Sequence, residues 1–167
     1  MVLKINGKKL VMDDKKKSGR YQRIYAQLEA LLKKSSDPIA RMATVCAVLH
    51  HKMDYFFWTG FYLLKGDELI VGPYQGPVAC QTLESGKGVC WAAVNEKEAV
   101  VVPDVHLFPG HIACDSRSES EIVLPLYNSS GALVGVMDVD AREKNQFNDV
   151  DRSHLTEILN LIYLGLK

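Results

Sequence analysis

FFWTGFYLLKGDELIVGPY, residues 56 to 74, decides the fold class. Two runs rich in aromatic and β-branched residues, FFWTGFYLL (56–64) and ELIVGPY (68–74), flank Lys65-Gly66-Asp67. Glycine beside aspartate supplies the backbone freedom of a tight turn, so the stretch reads as an antiparallel hairpin. On its first strand Trp58, Gly60 and Tyr62 share one face, and the glycine leaves a gap between two aromatic groups. Core or rim packing is the ordinary use of such a face. A ligand slot is the sharper reading, because aromatic rings make favourable contacts with sulfur and methyl groups.

Upstream of the hairpin the periodicity is helical. Tyr21, Ile24, Tyr25, Leu28, Leu31 and Leu32 predict an amphipathic helix over 19–34. Ser36-Asp37-Pro38 then offers a capping side chain followed by proline at the first helical position. The helix it opens runs to about Met53, with Met42, Val45, Cys46 and Leu49 on one face, so Cys46 reads as core. Downstream, 78–88 holds short extended pieces, VCWAAVNEKE (89–98) a short helix, and AVVVPDV (99–105) a strand ended by Pro103. Residues 106–120 form a long polar loop, a length that in a compact domain usually serves function. EIVLPLY (121–127), the turn NSSG and ALVGVMDVD (132–140) make a second hairpin, and a last helix starts near Asn148 with Leu155, Ile158, Leu159 and Ile162 inward. This order predicts an α+β fold, one antiparallel sheet with helices on one face and loops over the other.

The 167 residues suit one domain, 1–167, with 1–18 as an N-terminal extension. Lys+Arg and Asp+Glu balance at 20 each, which argues against a nucleic-acid partner. The runs KK (8–9) and KKK (15–17) read as a solvated segment. No apolar run approaches the roughly 20 residues of a membrane span, and lysines interrupt the start too early for a secretory signal. A cytoplasmic location is therefore expected, where cysteines pair transiently, in catalysis or sensing.

Three cysteines, Cys80, Cys90 and Cys114, fall in or beside loops of the β half, at spacings of ten and twenty-four. Neither spacing gives the close ligand pair usual for zinc, so no metal and no cofactor is expected. GHIACDSRSESEI (110–122) sets Cys114 among polar residues, with His111 and Arg117 as cations able to favour a thiolate. Inert buried thiols and a redox pair both remain open on this pattern. Asp138 and Asp140 alternate along a strand and so share a face, and Glu121 on the preceding strand is placed to join them. A strand end emerging into solvent is one reading; a pocket for an ammonium group, or a carboxyl donating a proton, is the other.

Together DYFFWTGFYLL, GPYQGPVAC, GKGVC, VVPDVHLFPGHIACDSRSESEIVLPL and GVMDVDA resemble the free methionine-(R)-sulfoxide reductases, each a single GAF domain. The resemblance runs from about Met53 to the C-terminus. It implies a GAF-like central sheet of about six strands, with N- and C-terminal helices on one face and loops covering a ligand pocket on the other. It implies reduction of free methionine sulfoxide, R epimer, with Cys114 as nucleophile, Cys80 as the resolving thiol and Cys90 as a further thiol. Trp58 and Tyr62 match residues that hold the substrate methyl group, and Glu121, Asp138 and Asp140 match the acidic residues around sulfoxide and amino group. Glu121 or Asp140 is the candidate proton donor. The implied partners are the free amino acid and thioredoxin or a similar dithiol, and a homodimer is common for GAF domains. The rival reading is a non-catalytic GAF sensor of a small ligand or of redox state.

Overall fold

The computed structural model describes residues 4–5, 8–9 and 12–166. Two short strands, β1 (Lys4–Ile5) and β2 (Lys8–Lys9), pair with each other; the side chains of the KK run at 8–9 lie outside the described residues. The main sheet has six strands, all antiparallel: β3 (Trp58–Lys65), β4 (Glu68–Gln75), β5 (Thr82–Leu83), β6 (Val100–Val102), β7 (Ser120–Tyr127) and β8 (Leu133–Ala141). Their spatial order is β5-β4-β3-β8-β7-β6. The opening hairpin forms as expected. Lys65 pairs with Glu68, leaving Gly66-Asp67 as the turn, and Gly66 takes φ of 62°.

Helices α1 (Asp14–Leu32), α2 (Pro38–Lys52) and α4 (Asp149–Asn160) cover one face. Asp37 caps α2 by accepting from the Ile39 and Ala40 amides ahead of Pro38 at the first helical position. Asn148 caps α4 in a reciprocal box with Asp151, which satisfies amides that a helix start leaves free. Period-two alternation does the sorting on the sheet. Phe61, Ile122, Leu124, Met137 and Val139 turn to the helices, with Cys46 in the same core. Trp58, Tyr62, Val123 and Val136 turn the other way.

Helix α1 starts at Asp14, five residues before the expected start at 19, with Asp13 as its cap. Lys17 corrects the reading of KKK as solvated. It is buried, its ammonium 2.6 Å from the Asp151 carboxylate and 2.9 Å from the Gln146 carbonyl. On the opposite face α3 (Gly88–Glu96) packs against β6, β7 and β8, so a helix joins the loops over that side.

Candidate active site

Between the far face of the sheet, α3 and the loop 111–118 lies a cavity of about 40 Å³. Trp58, Tyr62, Cys90, Cys114, Glu121, Asp138 and Asp140 line it, seven of the eight anticipated positions. The eighth, Cys80, is joined to Cys114 by a disulfide, with Cα atoms 5.5 Å apart.

Strand register explains the floor. Glu121 stands opposite Asp140 across β7 and β8, while Trp58 stands opposite Asp140 and Gly60 opposite Asp138 across β3 and β8. Directly opposed residues share a face. Glu121 and Asp138 are buried and Asp140 is partly buried, so the pair does not emerge into solvent.

The aromatic wall differs from the expected slot. The gap over Gly60 is filled by the Trp58 indole itself, since a Cβ there would come within 2.4 Å of both that ring and Tyr74. Trp58 is stacked between Tyr62 and Tyr74, with centroids 5.7 and 5.3 Å away. Its Nε1 donates to the Pro77 carbonyl at 3.2 Å, and the Tyr62 hydroxyl donates to the Cys80 carbonyl at 3.1 Å. Both aromatic residues thus pin the segment that carries Cys80. Gly76, with φ of 122°, lets that segment pass close over Phe57 and Trp58.

The GAF domain family pattern matches residues 36–166. The chain is 38% identical to the free methionine-R-sulfoxide reductase of Escherichia coli over 139 residues, covering 83% of this chain and 84% of that protein. It is 46% identical to GAF domain-containing protein A of Dictyostelium discoideum, covering 87% and 92%. The free methionine-R-sulfoxide reductase of Neisseria meningitidis, solved in complex with its substrate, superposes with a TM-score of 0.84 at 39% identity, covering 89% of each chain. The chain belongs to the free methionine-R-sulfoxide reductase family. It is an oxidoreductase built on a GAF domain.

In this reductase the carboxyl groups of Glu121, Asp138 and Asp140 are all held well above the usual carboxylate range. Burial is the leading cause and the neighbouring carboxylates the next; the Ser118 hydroxyl works the other way at Asp140. Cys90 sits in the first turn of α3, where a helix N-terminus would ordinarily ease ionisation. Burial and the three carboxylates outweigh that and keep it a thiol. The expected cationic support for Cys114 is not free. Arg117 forks onto Asp115, with contacts of 2.9 and 2.7 Å, and holds that carboxyl down at about 2. Burial lowers the pKa of His111, whose Nε2 lies 3.4 Å from Glu121 Oε2.

Two contributors escaped the sequence reading. Ser118 is buried against Asp140, and its signal was a serine-rich string in the loop ending at Glu121. Tyr74 backs Trp58 from β4; its signal was its register opposite Gly60. The structure also brings Cys90 together with Glu121 and Asp138, a grouping that spacing alone did not suggest.

Proposed function

We propose that the enzyme reduces free L-methionine-(R)-sulfoxide to L-methionine. The Cys114 thiolate attacks the sulfoxide sulfur while Glu121 or Asp140, kept protonated in the cavity, delivers a proton to the oxygen. The attack forms a bond between Cys114 Sγ and the substrate sulfur, and the protonated oxygen leaves as water when the sulfur–oxygen bond breaks. A water then adds to Cys114 Sγ, and the new sulfur–sulfur bond breaks with its electron pair passing to methionine. Cys114 is left as sulfenic acid with one proton returned. The Cys80 thiol then attacks Cys114, expels water and closes the disulfide. A dithiol of the thioredoxin class reopens it, which suits a cytoplasmic setting that keeps thiols reduced.

The observation that carries this reading is the Cys80–Cys114 disulfide at the wall of a cavity floored by carboxyl groups. Trp58 and Tyr62 provide the apolar wall for the methyl group. Asp138, giving up its proton as the ammonium arrives, is the natural partner for the substrate ammonium, which a free amino acid carries and a peptide-bound residue lacks. The α3 N-terminus, with Gly88 and Val89 in the lining and no side-chain cap, is placed to receive the substrate carboxylate. The Neisseria relative, solved with its substrate, adds weight to the same assignment.

The test is methionine release from the free R sulfoxide by the dithiol-reduced protein. Cys114→Ser should lower it by at least about 10³-fold, as loss of a nucleophile does. A wild type with verified free thiols and no turnover would remove the enzyme reading and leave a redox sensor.

A further inference from the structure

We propose that Cys90 Sγ and one carboxylate oxygen each of Glu121 and Asp138 form a binding site for a thiophilic divalent cation of the zinc class, filled in the disulfide form. The three donor atoms lie within 4.8 Å of one another. A shift of about 1 Å would bring them to the corners of a tetrahedron around a metal with bonds of about 2.0–2.3 Å. A second feature points to a ligand at the same place. Asp138 Oδ1 is buried and has no hydrogen-bond partner among the described residues, an unusual state for a native buried oxygen.

Among the described residues no lysine or arginine pairs with Glu121 or Asp138, so no fixed cation stands in the place of a bound one. His111 stands against Glu121 and is placed to orient it, as histidine and carboxylate do around metal ligands. One thiolate with two carboxylates favours zinc, cobalt or cadmium over magnesium or calcium, which prefer all-oxygen shells.

The disulfide form is the one in which Cys90 is the thiol left at the cavity, since Cys80 and Cys114 are joined and Cys46 lies in the helix-side core. Binding displaces the Cys90 thiol proton and the carboxyl protons to solvent, with no change of oxidation state. The consequence for catalysis rests on the proposed function: a cation here occupies the place of the substrate ammonium and holds the oxidised enzyme out of the cycle.

Cobalt(II) is the probe, added to the full-length protein in its disulfide form, where Cys46 and Cys90 are the free thiols. The expected result is a thiolate-to-cobalt absorption in the near ultraviolet, saturating at one equivalent and bleached by zinc, which binds more tightly. Cys90→Ser should abolish the band and Cys46→Ala should keep it. Asp138→Asn, which preserves volume, should weaken cobalt at least tenfold. Absence of the band in wild type, or its persistence in folded Cys90→Ser, overturns the site. Neither outcome depends on turnover, so failure here and failure of the reductase reading are separate results.

Discussion

Behind the helices, Lys17 meets Asp151 at 2.6 Å, Tyr21 donates to the same carboxylate at 2.8 Å, Tyr55 adds a second hydroxyl, and the Asn148 amide a fourth donor. Across the sheet, Glu121, Asp138 and Asp140 crowd one another with no lysine or arginine among the described residues to match them, and one Asp138 oxygen lacks any partner. Both clusters gather acid inside the fold, one among the helices and one on the far face of the sheet. The first is complete in itself and ties α1 to α4, which is a structural use of charge. The second has raised carboxyls and an unpartnered buried oxygen beside a cavity, a combination that clusters at functional sites.

Glu121→Gln tests the distinction most severely. It keeps the shape of the floor and removes one of the two candidate proton donors, so turnover should fall by about 10²–10⁴-fold if Glu121 is the donor of the proposed reaction. Stability at neutral pH should hold or rise, because one member of a crowded acid set is gone. Urea denaturation of the same preparation checks the second half. A loss of both activity and stability would put Glu121 with the structural cluster.

Asp151→Asn is the mirror experiment on the other face. Lys17 would keep its charge in a buried place without a counter-charge, at a cost of about 3–5 kcal/mol. Activity per folded molecule should stay near that of wild type, since Asp151 lies on the side of the sheet away from the cavity. Thermal unfolding and a turnover assay on the folded fraction read the two effects apart.

The response to pH separates the faces again, by a smaller step. Carboxyls raised in the folded state stay protonated there while the unfolded chain has already ionised them. Above the ordinary carboxyl range near about 4, the folded protein therefore binds more protons, and its stability falls as pH rises until it passes the folded values. Each such group contributes about 1.4 kcal/mol per pH unit. Free energies of unfolding followed upward from pH 5 should fall less steeply in Asp138→Asn than in wild type. In the proposed reaction one of these protons goes to the sulfoxide oxygen, so turnover should decline as the donor ionises.

Much of this contrast was legible in the amino-acid order, and the rest was hidden for physical reasons. Hairpin turns, capping residues and period-two alternation are local, so Gly66-Asp67, Asp37-Pro38 and the shared face of Asp138 and Asp140 could be read directly. Lys17 was misread because a lysine in a basic run looks solvated until its partner, 134 residues away, is known. Arg117 was misread as a free cation although its partner Asp115 is only two residues away: both Asp115 and the Cys114 thiolate lie within its sequence reach, and the loop's turn decides between them. Gly60 was rightly seen as a gap, yet what fills it depends on Tyr74 across β4, which fixes the rotation of the Trp58 ring.

That ring gives the finest test of how the cavity face works. Trp58→Phe keeps an aromatic surface against Tyr62 and Tyr74 but deletes the Nε1 donor to Pro77. A lost hydrogen bond of this kind costs about 1 kcal/mol, roughly a fivefold shift in how often the Cys80 segment is held in place. Rapid quench of the reduced enzyme with sulfoxide separates two steps. The methionine burst should stay near one equivalent, because Cys114 and the acid floor are intact, while disulfide closure should slow about fivefold. If closure keeps its rate and only KM rises, the indole is a wall for the substrate and Tyr62, through the Cys80 carbonyl, holds the segment alone.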